Sequence, residues 1–206
     1  MNPRFTRQLL WSILAIALLL IGSFSFISWT HHNIKKLDDF GAVPEFSLTN
    51  ELGHPVSLET FKGHEWVADL IFTHCTSICP LITSKMYALQ QELKDQPDVK
   101  LVSFSVDPMH DSPDTLAQYA IAHHANTRQW SFLTGAVPTI YTLAKTGFHL
   151  PLDSIGGEQT TPIIHSPRFV LIDRNGHMRG YYNGAEDESR TQILSDIETL
   201  KDEPSK

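Results

Sequence analysis

The chain has 206 residues, 41% of them hydrophobic and 19% charged, a make-up that excludes a disordered or collagen-like chain and allows one globular domain with appendages. Two cysteines exclude a disulfide-stapled scaffold, and a slightly negative mean hydropathy excludes a polytopic membrane protein. The formal net charge of −7 argues against a nucleic-acid partner, which needs a basic face.

The charge is unevenly spread. Arg4 and Arg7 are the only charged side chains in residues 1–30. Taking them from the 16 basic residues leaves 14 against 23 acidic ones, a formal −9 for the remainder, as suits an acidic, soluble exterior. After a tail of residues 1–8, Leu9–Trp29 runs 21 residues without a charge. At ~1.5 Å per residue this predicts one transmembrane helix, with Trp11 and Trp29 near its two ends, where indoles favour the interface. A cleaved signal peptide would have a shorter apolar run and a small-residue cleavage site. The positive-inside count is nearly tied between Arg4 and Arg7 before the helix and Lys35 and Lys36 after it. The tail is too short for a mitochondrial presequence. The expectation is therefore a single-pass protein of a bacterial inner membrane, its soluble domain facing the periplasm.

Residues 30–42 read as a polar linker, 43–200 as one α/β domain and 201–206 as a C-terminal tail. Phe46–Leu48 and Val56–Leu58 alternate around a turn-rich stretch and predict a β-hairpin. Trp66–Phe72 and Val99–Val106 read as buried strands. Between them Ile82, Met86, Leu89 and Leu93 recur on one helical face. Ser112-Pro113 opens a helix, with Ser as the cap and Pro at the first position. A third helix carries Val137, Ile140, Tyr141 and Ala144 and closes at Gly147. Phe169–Ile172 and Met178–Tyr182 flank the turn Asp173–Gly176 and predict a second hairpin, before a last helix marked by Ile193, Leu194, Ile197 and Leu200. Strands alternating with helices predict a sheet covered on both faces, mixed because of the C-terminal hairpin.

Both cysteines lie in Thr73-His74-Cys75-Thr-Ser-Ile-Cys79-Pro80, after a buried strand and before a helix, where open α/β folds gather ligands. With Cys79 in the first helical turn, the positive end of the dipole is expected to stabilise its thiolate. Two thiols at this spacing suit either a disulfide or the chelation of a soft cation.

Together with Ser105-Val-Asp107-Pro108, Asp111-Ser-Pro113, Leu133-Thr-Gly135 and Ile164-His165-Ser166 before Phe169–Asp173, this stretch resembles the T-x-C-x3-C-P pattern of the Sco/SenC family across nearly the whole soluble part. The resemblance implies a thioredoxin-like fold with an added N-terminal β-hairpin. It implies copper, Cu(I) and/or Cu(II), held by Cys75, Cys79 and His165. It implies a metallochaperone role toward the cytochrome c oxidase subunit that carries the dinuclear copper centre, with other copper chaperones or thiol reductases as further partners. Two features depart from the pattern. Thr76-Ser77-Ile78 stands where many members have Pro and Asp, and Ile164 stands where an acid often precedes the histidine. The same thiols also serve a thiol:disulfide oxidoreductase, which has no need of His165, or a peroxidase that forms a sulfenic acid on Cys75 or Cys79. His74 precedes Cys75, and on extended backbone adjacent side chains diverge, so it reads as a non-ligand. Asp107 beside Pro108 either lines the site or caps a turn. His31 and His32, beside the expected membrane span, read as interfacial, and the remaining histidines, His110 among them, as solvated.

Overall fold

In the computed structural model the described residues are 16, 19–23, 36–150 and 167–203. They fall into two compact units, one of residues up to Lys36 together with those from Asp202, the other Leu37–Lys201. In the first, residues 19–23 are helical, and the Ser23 hydroxyl donates back to the carbonyls of Leu19 and Leu20. Among the described residues no helix is long and apolar enough to cross a membrane. Most of the expected span 9–29, and the expected ligand His165, lie outside the described residues.

The second unit is a seven-stranded sheet: β1 (Ser47–Asn50), β2 (Pro55–Ser57), β3 (Trp66–Ile71), β4 (Lys100–Ser105), β5 (Trp130–Thr134), β6 (Arg168–Ile172) and β7 (Met178–Asn183), in spatial order β2-β1-β5-β4-β3-β6-β7. The central pairs β3–β4 and β4–β5 are parallel; both hairpins, β1–β5 and β3–β6 are antiparallel. The mixed sheet is as expected. The strand β5 is an addition to the elements read from the sequence, and it joins the N-terminal hairpin to the parallel centre.

Side-chain alternation along β3 separates two cores. Trp66, Ala68 and Leu70 face one side, with Phe46, Phe61, Phe104 and Phe148. Val67 and Ile71 face the other, beneath the helices α1 (Cys79–Glu92), α2 (Pro113–Ala122) and α4 (Asp187–Asp202), against Ile82, Met86, Leu116, Ile193 and Ile197. Because β3 is covered on both faces it is apolar throughout except at Asp69, and all six of its residues are buried.

Local chemistry sets the boundaries. Ser112 caps α2 by accepting from the Thr115 amide at 3.2 Å, with Pro113 at the first helical position. The helix α3 (Val137–Thr142) continues as one π-helical turn, Leu143–Gly147. Between β6 and β7 the Asp173 carboxylate accepts from the amides of Asn175 and His177, and Gly176 supplies the left-handed residue, with φ +80°, that closes the turn.

Candidate metal and thiol site

The parallel pairing of β3 with β4 brings the loops that follow them, residues 72–78 and 106–112, side by side at one end of the sheet. Asp111, fully buried, ties the two loops together. It accepts from the Thr73 hydroxyl at 2.6 Å, from the Thr73 amide at 3.1 Å and from the Ser105 hydroxyl at 2.6 Å. Ser105 in turn accepts from the Asp107 amide at 3.1 Å. Thr73 and Asp111 are therefore positioning residues for the thiol loop, a role that a reading of local pattern had no means of assigning.

Both cysteines are free thiols and buried. Cys79 is the first residue of α1, and its amide donates to Cys75 Sγ at 3.4 Å; the Ser77 hydroxyl lies 3.5 Å from the same sulfur. Burial pushes the Cys75 thiol up. Hydrogen bonds from the Cys79 thiol, the Ser77 hydroxyl and the amides of Cys79 and Ser77 outweigh burial and bring it down to about 6. Cys79 moves the other way. Burial, the hydrogen bond it gives to Cys75 and the negative charges of Cys75 and Asp69 push it far up, offset only in part by the Phe72 amide.

This reverses the expectation that the helix dipole would make Cys79 the thiolate. Cys79 does open the helix, but its sulfur is almost wholly enclosed, and desolvation outweighs a fractional dipole charge. The amide that would have stabilised Cys79 is spent on Cys75. The pair is a buried donor thiol behind a more acidic one.

Beneath it, Asp69 on β3 is fully enclosed, and burial pushes its carboxyl up to about 7. Its cross-strand neighbour Ser103 relieves this only in part, and neither oxygen meets a donor in full hydrogen-bond geometry. Burial likewise pushes the Tyr119 phenol far up; its hydroxyl lies 2.7 Å from that of Thr83 on α1.

On the same loops, His74 lies in the turn Phe72–Cys75, where the Cys75 amide donates to the Phe72 carbonyl at 3.3 Å, and not on the extended backbone expected of it. Its Nε2 lies 3.3 Å from Asp107 Oδ2, and Nδ1 of His110 lies 2.8 Å from the same oxygen. Of the two expectations for Asp107, the turn is the one observed. Its carbonyl accepts from the amides of His110 and Asp111 in a turn, and its carboxylate faces the two imidazoles.

A mixed α/β sheet with a dithiol at the junction of a central strand and a helix, extended by an N-terminal hairpin, defines a thioredoxin-like domain. The SCO1/SenC family model matches residues 35–202, and the chain belongs to that family. The SCO1 protein homolog of Bacillus subtilis is 38% identical over 159 residues, covering 76% of this chain and 81% of that protein. The solved structure of BsSco, described as a member of the Sco family of cytochrome c oxidase assembly proteins with a disulfide switch, is 34% identical. It aligns with a TM-score of 0.71 over 82% of this chain and all of its own. Arabidopsis thaliana ScoI, solved with copper bound, shares the fold at a TM-score of 0.66 and 22% identity, over 79% of this chain and 100% of that one.

Proposed function

We propose that this chain is a membrane-anchored copper metallochaperone. Cys75, Cys79 and His165 hold the copper, and the target is the dinuclear copper centre of cytochrome c oxidase. The observation that carries the reading is the thiol pair itself: two adjacent sulfurs, sheltered from water, with Cys75 poised as a thiolate near neutral pH. Two thiolates and one imidazole suit soft Cu(I), and a three-coordinate site leaves the ion exchangeable. The topology supports His165. Because β6 runs antiparallel beside β3, its first residue, Arg168, lies at the sheet end where β3 delivers the thiols. His165 is three residues earlier, within about 10 Å of chain. In this reading residues 9–29 anchor the chain in a bacterial inner membrane and 43–200 form the periplasmic domain. Copper donors and thiol reductases complete its partners.

The test is an anaerobic Cu(I) titration of the reduced and the oxidised chain. The reduced form binds one Cu(I) and the Cys75–Cys79 disulfide binds none, because oxidation removes both thiolates. Unchanged stoichiometry after complete oxidation places the copper elsewhere. The thiol:disulfide oxidoreductase reading has one observation in its favour, the division into an acidic Cys75 and a buried Cys79 that would resolve a mixed disulfide. His165→Ala separates the two. It weakens copper binding, Cu(II) more than Cu(I), and leaves the disulfide able to form. A variant that binds copper like the parent but loses reductase activity establishes the oxidoreductase instead.

A further inference from the structure

The thiol pair uses only some of the donor atoms on the paired loops. A second constellation shares none of its residues. His74 from the loop after β3, and Asp107 and His110 from the loop after β4, bring their ligating atoms within 4.8 Å of one another. The carboxylate is the fixed member: Asp107 is 1% exposed, and its described ion-pairing partners are the two imidazoles. No lysine or arginine pairs with it among the described residues. The histidine side chains are about half to two-thirds exposed, at 55% and 66%, so an ion reaches the carboxylate past their edges.

Nε2 of His74 lies 3.3 Å from Oδ2 of Asp107, and Nδ1 of His110 lies 2.8 Å from Oδ2 and 3.0 Å from Oδ1, while the rings meet edge to face with centroids 5.3 Å apart. A buried carboxylate calls for a compensating positive charge, which a bound cation would supply. A cation bound by nitrogen and oxygen ligands at ~2.0–2.2 Å has neighbouring ligand atoms roughly 3.0–3.5 Å apart. The two nitrogen–oxygen separations, 3.3 and 2.8 Å, are close to those edges, and all three ligand atoms lie within 4.8 Å of one another. Two histidines and one carboxylate, with the solvent side open, form a facial set for a borderline divalent ion.

We propose that His74, Asp107 and His110 form a second metal site, for a borderline divalent cation of the Cu(II) or Zn(II) class, on the same paired loops as the dithiol but sharing none of its residues. The donor set has no sulfur, so it discriminates against Cu(I) where the thiol pair favours it. The loops are rigidly joined through Asp111, so the site is held in place without metal. The proposal goes beyond the copper reading above and does not rest on it, since none of its three ligands is shared.

The test uses the full chain carrying Cys75→Ser, Cys79→Ser and His165→Ala, which removes every ligand of the other proposed site. Titration with Cu(II) against a chromophoric chelator gives one tight equivalent, with electron paramagnetic resonance showing nitrogen hyperfine structure from two imidazoles. Adding His74→Ala and His110→Ala weakens that equivalent by on the order of 100-fold, down to the level of isolated surface histidines. Both side chains are exposed, so water replaces them at the Asp107 carboxylate and circular dichroism stays that of the background, with any fall in melting temperature recorded beside it. A background that binds no tight Cu(II), or binding that survives loss of both histidines, overturns the site. A second arm covers misfolding of the triple variant. The otherwise unmodified chain, oxidised at Cys75 and Cys79, is titrated with Zn(II) beside the same chain carrying only His74→Ala and His110→Ala. The double variant binds one equivalent fewer, and equal stoichiometry overturns the proposal. The copper reading fails separately, in the Cu(I) titration of the reduced parent.

Discussion

The two thiols differ so much in acidity that their reactivities separate cleanly. With Cys75 brought from its ordinary 9.0 down to about 6, about nine-tenths of it is thiolate at pH 7, against about one part in a hundred for an unperturbed thiol. A more stable thiolate is a weaker nucleophile. With a Brønsted slope of about 0.45 the drop of about three in pKa lowers intrinsic reactivity roughly twentyfold. The net gain at pH 7 is only about fourfold, and it is further reduced because the sulfur is buried. The informative quantity is the pH dependence. Alkylation of the reduced chain by iodoacetamide, with the modified residue located by mass spectrometry, should occur at Cys75 alone and level off above a midpoint near pH 6. Ser77→Ala removes one of the four hydrogen bonds that hold Cys75 down, leaving the Cys79 thiol and the two amides. A hydrogen bond to a charged group contributes about 1.5–3 kcal/mol, so the midpoint should move up by roughly one to two pH units. A midpoint above pH 8 in the parent, or first labelling at Cys79, would refute the assignment of the thiolate and restore the helix-dipole argument.

Further predictions concern what surrounds the pair. Asp69 carries its carboxyl from 3.8 to about 7 by burial, a penalty of about 4 kcal/mol at a pH above both values. Its folded pKa lies above its unfolded one, so the penalty is absent below about pH 4, grows between pH 4 and 7 and is complete above 7. Asp69→Asn should therefore match or trail the parent in urea melts at pH 4 and gain on it steadily up to pH 7; a difference that does not change with pH contradicts the burial. Asp111→Ala should expose the thiol loop, because it frees Thr73 and Ser105 together, and the rate of Cys79 alkylation should rise severalfold; an unchanged rate would show that the loops stand without the clamp. Arg179→Ala removes a buried guanidinium that donates to Asp173 at 2.9 Å and to the carbonyls of Leu37 and Asp38, and should destabilise the domain by about 3–5 kcal/mol in equilibrium unfolding.

Much of the fold could be read from the chain because its signals are local. The run Trp66–Ile71 is apolar because β3 is buried on both faces, the Ile82–Leu93 spacing is one face of α1, and Ser112-Pro113 caps α2 as its side chains require. The strand β5 escaped notice although Trp130 and Phe132 alternate with a smaller residue in an aromatic-rich run, a pattern that does signal a strand. The site was legible as far as covalent neighbours allow. Pairing Cys75 with Cys79 follows from spacing. The identity of the thiolate depends on which sulfur the core encloses, and enclosure is a tertiary property. His74 sits in a turn and not on extended backbone, and it meets His110, which lies 36 positions later, only because β3 and β4 are parallel neighbours. The roles of Asp111 and Asp107 arise from the same juxtaposition of two loops.

The segment that leads into the domain is strapped along the second hairpin. Phe40 and Val43 donate to the carbonyls of Met178 and Gly176, the Met178 amide donates to Gly41, and Arg179 holds Leu37 and Asp38. Ile172 pairs with Trp66, at the start of β3, so the turn that follows Ile172 lies at the pole opposite the one where β3 ends and the thiols begin. The strap thus lies at one pole of the domain and the thiols at the other. Between them stands the full length of the central sheet, whose β3 is paired on both sides and buried on both faces. A change confined to the strap therefore reaches the cysteines only through that sheet, and the spacing of the two sulfurs is set at the far pole.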